Sequence, residues 1–177
     1  YDPVSISTIP IEREIQSYTT TSDAEGFTFQ EDGHDFFQLT FPSEDKTWVY
    51  DVTTGVWHER NYTNPVSYVQ ERHRARVQGY FNGKNYFGDW NDSTLYESSD
   101  TTYTDNGTTI IRERKSPNLW QALERIHYSS FQLDVEDGTG LATGQGSAPL
   151  VQLRWSNDGG YTWSNWYYLD GGKTGKY

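Results

Sequence analysis

The stretch FFQLTFP at residues 36–42 mixes aromatic and β-branched residues with polar ones and stops at a proline. This pattern is typical of a half-buried β-strand, and proline ends such a run because it has no backbone N–H to donate. The segment WVYDVTTGVWH at 48–58 then predicts a strand, a tight turn and a returning strand. Within the turn, Asp51 can accept backbone hydrogen bonds and Gly55 can supply a positive φ. Together these residues predict an all-β fold built from hairpins.

Composition supports the same fold class and excludes several functions. Tyr, Phe and Trp make up 16% of the 177 residues, and aromatic side chains suit the surface of a strand. The formal net charge is −11, so the surface repels nucleic-acid phosphates, and no sequence-specific nucleic-acid binding is expected. No apolar run approaches the ~20 residues that span a bilayer, and no membrane partner is predicted. Because cysteine is absent, neither a disulfide nor a thiolate metal site can form.

Aromatic residues recur along the chain at a fixed spacing. Three pairs lie 46 residues apart: Tyr50 and Tyr96, Trp57 and Tyr103, Phe41 and Phe87. Together with Trp155 and Trp163 they predict repeat units at about 27–72, 73–118 and 119–177, within a single domain covering 1–177. The third unit is displaced by the Gly-rich insertion at 138–149, a surface loop that we expect to contact a neighbouring subunit or another protein of the assembly. The alternative is a free linker, because loops tolerate insertions well. A short helix-like connector is predicted at 118–126.

Repeats of about 40 to 50 residues made of strands are typical of β-propeller blades. Three units are too few to close a propeller, which has about 4 to 8 blades. We therefore expect a β-propeller-like repeat of antiparallel sheets. The missing blades leave two alternatives, an unrecognised blade in residues 1–30 or a chain that is a fragment of a larger propeller.

Residues 156–163, SNDGGYTW, match the Asp-box pattern Ser-x-Asp-x-Gly-x-Thr-Trp at every fixed position. The motif residues are Ser156, Asp158, Gly160, Thr162 and Trp163. One interpretation is that the box marks a sialidase-like glycosidase or a sugar-binding propeller. The other is that it only stabilises a hairpin, with the carboxylate accepting loop N–H groups, the glycine permitting a left-handed turn and the indole packing over the loop. We favour the structural interpretation, because the chemistry of the motif is turn chemistry.

The segment RHRAR at 72–76 is the only basic cluster in the chain. On one continuous strand, the period of two would place Arg72, Arg74 and Arg76 on the same face. Such a face could bind a carboxylate or phosphate of a partner. Alternatively, the three arginines pair with acidic residues of neighbouring strands, such as Glu59 or Glu71.

The acidic segment EDGHD at 31–35 offers oxygen and imidazole ligands to a metal ion, but it lacks the spacing of a calcium loop. We interpret it as an acidic turn, and we predict neither a metal nor a cofactor. No serine lies in a nucleophile-elbow pattern, and no pair of carboxylates stands out as a glycosidase pair. The sequence therefore favours a protein that is not an enzyme.

Several segments, taken in order, resemble the packaged-DNA stabilisation or tail-hub proteins of short-tailed bacteriophages. They are GHDFFQLTFP at 33–42, TWVYD at 47–51, TGVWHER at 54–60, YFNGK at 80–84, RER at 112–114, YSSFQLD at 128–134, GQG at 144–146 and LRWSNDGG at 153–160. The resemblance covers about residues 33–177. Members of that family are longer than this chain, so a fragment is expected.

The resemblance implies a structural protein of the virion tail, assembled in the host bacterial cytoplasm. Its subunits would form a homo-oligomeric ring below the portal and the portal adaptor after DNA packaging. The ring would help to retain packaged DNA and would carry other tail proteins, such as a tailspike, needle or plug. An acidic surface suits this role, because a channel lined with carboxylates lets DNA pass without binding it.

Overall fold

The computed structural model describes residues 4–99, 101–120, 124, 126–135, 142–144 and 147–172. The predicted single domain contains two compact units, Tyr1–Ile110 and Ile111–Tyr177. The division falls inside the predicted second repeat, eight residues before its expected end at 118.

Strands dominate the described chain, and helix α1, Ile9–Gln16, is the one α-helix in that part of it. The strands of the first unit are β1 Glu25–Glu31, β2 His34–Phe41, β3 Lys46–Asp51, β4 Val56–Glu59, β5 Asn61–Thr63, β6 Gln70–Arg72, β7 Ala75–Phe81, β8 Lys84–Asp89, β9 Leu95–Glu97, β10 Thr104–Asp105 and β11 Thr108–Thr109. The second unit has β12 Leu150–Leu153 and β13 Tyr167–Asp170.

All strand pairs are antiparallel, and each sheet joins strands that follow one another along the chain. The sheets are β1-β2-β3-β4, β7-β8-β9 and the two-stranded pairs β5-β6, β10-β11 and β12-β13. The prediction of an all-β fold is confirmed. No sheet closes on itself among the described residues, so the propeller remains a prediction.

The β3–β4 hairpin forms where the sequence predicts it. Tyr50 lies opposite Trp57, with ring centroids 5.0 Å apart. Gly55 has a φ of +70°, and its N–H donates to the Asp51 carbonyl over 2.8 Å. The Asp51 carboxylate accepts the Thr53 N–H at 2.9 Å, together with the Thr54 hydroxyl at 2.7 Å and His34 Nδ1 at 2.8 Å. Burial alone would raise the pKa of Asp51, but hydrogen bonds from Thr54 and His34 lower it to about 2.

The core of the first unit lies between the four-stranded and three-stranded sheets. Phe29 and Phe87 meet edge to face with centroids 5.3 Å apart, beside the buried Ala75. Two amide side chains also join the sheets. Gln38 Nε2 donates to the Ala75 carbonyl at 3.0 Å, and Asn85 Nδ2 donates to the Gln30 carbonyl at 2.6 Å. Amide donors that reach backbone carbonyls across a core fix the mutual position of the sheets, because losing either bond would leave a buried polar group unpaired.

The two larger sheets have equivalent registers. In the first, Phe37 lies between Thr28 and Tyr50, and in the second, Phe87 lies between Gln78 and Tyr96. Tyr50 and Tyr96 therefore occupy equivalent positions, with the predicted offset of 46. The first two strands of each sheet are offset by 50, because Tyr96 follows its partner Phe87 by 9 positions, whereas Tyr50 follows its partner Phe37 by 13 positions.

The other two aromatic pairs of the predicted repeat are corrected by the structure. The equivalent of Phe87 is Phe37, whereas Phe41 lies at the end of β2 and packs edge to face on Tyr18 at 5.0 Å. Trp57 lies on β4, but Tyr103 belongs to no strand. The second sheet accordingly has no described counterpart of β4, and a constant offset could not align all three pairs.

Residues 4–24 form a helix and its flanking segments, so they do not contain the additional blade considered from the sequence. Pro10 lies in the first turn of α1, where its missing N–H costs nothing. The segment is attached to the first sheet by two indoles. Trp57 Nε1 donates to the Ile6 carbonyl at 2.9 Å, and Trp48 Nε1 donates to the Tyr18 hydroxyl at 2.9 Å.

Candidate functional site

The Asp-box occupies the loop between β12 and β13 in the second unit. Asp158 Oδ1 accepts the Thr162 N–H at 2.8 Å, and Asp158 Oδ2 accepts the Thr162 hydroxyl at 2.6 Å. The Ser156 hydroxyl donates to Asp158 Oδ1 at 2.7 Å and accepts the Gly160 N–H at 2.8 Å. Three side chains of the motif therefore satisfy one another and the backbone of the loop.

The remaining two residues of the motif complete the turn. Gly160 has a φ of +97°, a conformation that L residues rarely adopt. Trp163 Nε1 donates to the Gly160 carbonyl at 3.0 Å, which holds the indole over the loop. The Arg154 guanidinium lies 4.7 Å from the Trp163 ring and 4.2 Å from the Trp166 ring. The indole faces thus contact a cation of the same unit.

The electrostatics of the loop define what Asp158 can do chemically. Hydrogen bonds from Thr162 and Ser156 hold the pKa of the Asp158 carboxyl well below its usual range. The group is therefore ionised at neutral pH and cannot serve as a general acid there. Its two oxygens are already occupied by donors of the loop, as the structural interpretation of the motif requires.

Asp158→Ala should loosen this hairpin without unfolding the first unit. The Thr162 N–H and hydroxyl would lose their acceptor, so we expect a changed tryptophan fluorescence and a lower melting temperature for the second unit. Since the folded-state pKa is depressed, this stabilisation is present above the ordinary pKa of an aspartate, near 4, and is lost as the pH falls below it. Circular dichroism melts at pH 7 and pH 3 measure both effects.

Asp134→Ala, which removes another carboxylate of the same unit, is the control and should melt like the parent at both pH values. If Asp158→Ala keeps the parental melting temperature but abolishes an activity of the protein, the structural interpretation of the Asp-box is wrong.

The three arginines predicted to share a strand face do not lie on one strand. Strand β6 ends at Arg72 and β7 begins at Ala75, because the His73 N–H donates to the Thr47 hydroxyl and the Arg74 carbonyl accepts the Trp90 N–H. The intervening residues therefore bond to other segments and interrupt the ladder. The prediction that the three arginines share one basic strand face is therefore wrong, because they do not lie on one continuous strand.

Each of these arginines contacts its own chain. Arg76 makes a bidentate pair with Glu25, at 2.9 and 2.6 Å. The Arg72 guanidinium lies 3.9 Å from the centroid of the Trp90 ring. Arg74 lies 4.3 Å from the Tyr62 ring, and its Nη1 is 3.5 Å from a carboxylate oxygen of the fully buried Asp89. The three arginines thus contact groups of their own chain, as the alternative interpretation predicts, but their acidic partners are not the expected Glu59 and Glu71. Contact of these arginines with a partner protein stays a prediction.

The acidic segment at 31–35 forms a tight hairpin turn between β1 and β2. Asp32 and Gly33 both have positive φ, 50° and 80°, as a two-residue hairpin of type I′ requires. Glu31 accepts the Ser98 hydroxyl, and Asp35 accepts the Gln30 amide at 2.5 Å. Within the described ranges no group of three His, Asp or Glu side chains is placed to bind a metal ion.

Two other predicted segments are described only in part. Of the insertion at 138–149, residues 142–144 and 147–149 are described, and the Ser147 hydroxyl donates to the Gly144 carbonyl at 2.7 Å. Of the connector predicted as helical at 118–126, residues 118–120, 124 and 126 are described, and none is helical. The rest of both segments lies outside the described residues. Across the described chain, no helix is both long enough and apolar enough to span a membrane.

A groove that the sequence analysis missed opens in the first unit. Its volume is about 690 Å³, and the loop between β5 and β6 forms one wall. Trp90 and Asn91, which follow β8, lie in the lining with Tyr62 and Arg74. These residues are distant in sequence, so no local motif could have revealed the groove.

Comparisons with protein-family models, with curated proteins and with solved structures found no match to this chain.

Proposed function

We propose that this protein is a structural subunit of a tail hub in a short-tailed bacteriophage, acting through contacts between proteins rather than through catalysis. The hub would be a homo-oligomeric ring that helps to close the portal vertex and to retain packaged DNA. The observation that carries the proposal is that all buried hydrophobic residues of the described chain lie in the acidic first unit, whereas the described part of the second unit exposes large apolar side chains and buries none.

The negative charge of the chain belongs to the first unit. Residues 1–110 contain 18 acidic and 7 basic side chains, whereas residues 111–177 contain 7 of each. The basic cluster of the first unit is occupied by aromatic rings and carboxylates of the same chain. Such a surface suits a position beside DNA that must slide past, because phosphate binding depends on available Lys and Arg.

The second unit has the properties of an assembly surface. Every buried hydrophobic residue of the described chain lies in the first unit. In the second unit, large apolar side chains are exposed, among them Trp120, Tyr128, Phe131, Tyr161, Tyr168 and Leu169. Extensive exposed apolar surface marks sites of protein association. Contact with a neighbouring subunit or with another tail protein would bury these side chains.

The resemblance to tail-hub proteins and the equivalent registers of the two larger sheets support the finer parts of the proposal. Repeated antiparallel sheets of this size are consistent with blades of a larger propeller-like array. The Asp158 carboxylate forms hydrogen bonds within its own loop, which favours a structural Asp-box over a glycosidase. We therefore infer that the protein is not an enzyme.

The assembly surface can be tested by the double variant Trp120→Ser, Tyr168→Ser. These side chains are 75% and 60% exposed, so the substitutions should leave the fold intact and prevent oligomer formation. Native mass spectrometry of the full chain should show a closed oligomer for the parent and monomers for the variant. Tyr80→Ser, which removes a 70% exposed aromatic of the first unit, is the matched control and should assemble normally.

A monomeric parent across the accessible concentration range would contradict the proposed ring. Binding of duplex DNA by the parent protein, seen as a shifted band in a mobility-shift assay at low salt, would contradict the proposed acidic channel. Turnover of sialosides, glycosaminoglycans or lipopolysaccharide that depends on one acidic residue would instead favour the carbohydrate-active alternative.

A further inference from the structure

The chain contains two Asn-Gly pairs, Asn82-Gly83 and Asn106-Gly107, and each forms the two-residue turn of a hairpin. The φ angles are 50° and 81° in the first turn and 48° and 80° in the second, as a type I′ turn requires. All four residues are exposed, and a Cβ added at either glycine would have no atom within 4 Å. Water therefore reaches both turns.

An asparagine that precedes a glycine can deamidate through a reaction within the chain. The glycine backbone nitrogen attacks the carbonyl carbon of the asparagine side chain and forms a new N–C bond. The side-chain amide leaves as ammonia and takes up the proton that the glycine nitrogen loses. Water then opens the resulting succinimide at one of its two carbonyls, which gives aspartate or isoaspartate. Glycine permits the attack because no side chain hinders its nitrogen.

The turn geometry blocks this attack as long as a hairpin stays closed. The first central residue of a type I′ turn has the mirror image of the type I backbone, with ψ of about +30°. This ψ places the glycine nitrogen and the asparagine Cβ on opposite sides of the Cα–C bond, so the nitrogen cannot reach the side-chain carbonyl. Each asparagine therefore reacts only after its hairpin opens, and the free energy of local opening controls the rate.

The hairpin around Asn82 is held by long strands and by the core. β7 and β8 pair at six positions, and β8 also pairs with β9 along its other edge. Close to the turn, Asn85 Nδ2 donates to the Gln30 carbonyl at 2.6 Å. Further along β8, Phe87 belongs to the buried cluster between the sheets. Opening this turn therefore strains contacts of the core as well as the strand ladder.

The hairpin around Asn106 is much shorter. β10 and β11 pair at two positions, and no third strand joins this sheet among the described residues. The Thr108 hydroxyl oxygen lies 3.2 Å from that of Tyr62, which links the hairpin to the rest of the first unit. Each hydrogen bond that must break adds to the free energy of opening, so this turn opens more often than the turn at Asn82.

We propose that Asn106 is a site of spontaneous deamidation in the folded protein, whereas the longer hairpin protects Asn82. Conversion replaces a neutral amide by a carboxylate next to Asp105, so the acidic first unit becomes more negative as the protein ages. The isoaspartate product also lengthens the backbone of the turn. The inference does not depend on the proposed hub function, since it rests on two hairpins of the first unit.

The test compares the two asparagines within the same molecule. The full chain is kept at pH 8 and 37 °C for several weeks, either folded in buffer or unfolded in guanidinium chloride. Peptide mass spectrometry with fragmentation then measures deamidation at each residue. In the unfolded chain the two asparagines should convert at similar rates, and the ratio there corrects for flanking residues. In the folded protein, Asn106 should convert about tenfold faster than Asn82.

The proposal is overturned if Asn82 converts as fast as Asn106 in the folded protein. It is equally overturned if Asn106 of the folded protein stays unmodified over the same weeks.

Thr108→Val removes the hydroxyl that contacts Tyr62 and keeps a β-branched side chain, so it should speed the conversion of Asn106 about threefold and leave Asn82 unchanged. Thr109→Val is the matched control, because it removes an exposed hydroxyl from the same strand, and Asn106 should convert in it as in the parent. Thermal melts check that both variants are folded. Equal rates at Asn106 in the two variants would overturn the view that opening of this hairpin controls the reaction.

Discussion

Acidification from pH 7 to pH 4 should lower the free energy of unfolding by about 3 kcal/mol through His73 alone. Burial, and to a lesser degree the nearby Arg60 guanidinium, lowers the pKa of His73 to about 3 from its ordinary 6.5. Its Nδ1 accepts the Ala75 N–H at 3.2 Å, which requires an unprotonated nitrogen at that position. Between pH 6.5 and pH 3 the unfolded chain therefore binds a proton that the folded chain does not.

The sign of the effect is fixed by this difference in proton binding. The stability contributed by neutral His73 is complete above pH 6.5 and is lost progressively as the pH falls towards 3. Urea unfolding at a series of pH values measures it. His73→Asn preserves an acceptor near the Nδ1 position and removes the titration, so its stability should fall less steeply over the same range. Parallel slopes for the parent and His73→Asn would show that the imidazole is not buried as a neutral group.

Asp89→Ala should destabilise the first unit by roughly 3–5 kcal/mol, because it leaves a buried guanidinium without a charged partner. The Asp89 side chain is fully buried, and that of Arg74 is 13% exposed. The carboxylate also accepts the Tyr96 hydroxyl at 3.1 Å and the Asn91 N–H at 2.6 Å, so three donors would lose an acceptor together. Chemical denaturation of the variant measures the loss.

The double variant Arg74→Met, Asp89→Ala separates the cost of an isolated charge from the cost of lost packing. With no guanidinium left to desolvate, it should recover part of the stability that Asp89→Ala loses. If the double variant is less stable than Asp89→Ala by the full cost of Arg74→Met alone, then the two groups do not interact.

Local chemistry explains which parts of the fold could be predicted. The β3–β4 hairpin follows from Asp51 and Gly55, because the turn contacts lie within five residues of one another. The Asp-box was predictable for the same reason. Asn82-Gly83 and Asn106-Gly107 also form turns with positive φ at both residues. The Asn-Gly dipeptide is a strong hairpin signal, so these two turns were predictable from the sequence, although the repeat units were placed by aromatic spacing instead.

Long-range contacts explain what could not be predicted. The break between Arg72 and Ala75 depends on Thr47 and Trp90, which are distant in sequence. Helix α1 places Ile11 and Ile15 one turn apart, but its 8 residues are fewer than the roughly 11 to 18 over which a helical apolar period can be recognised. The groove collects residues between 45 and 91, so it becomes visible only once Arg74 and Trp90 are placed together.

The pairing of strands in chain order has a consequence for when each sheet folds during synthesis of the chain. In each described sheet, a strand bonds to the strand made just before or just after it. Such sheets close short loops, so they form faster than sheets that must wait for a distant segment. We expect the β1–β4 sheet to fold while the ribosome is still translating the second unit. In the proposed ring, the β1–β4 sheet of a subunit would then be formed before the exposed apolar side chains of its second unit can contact another copy.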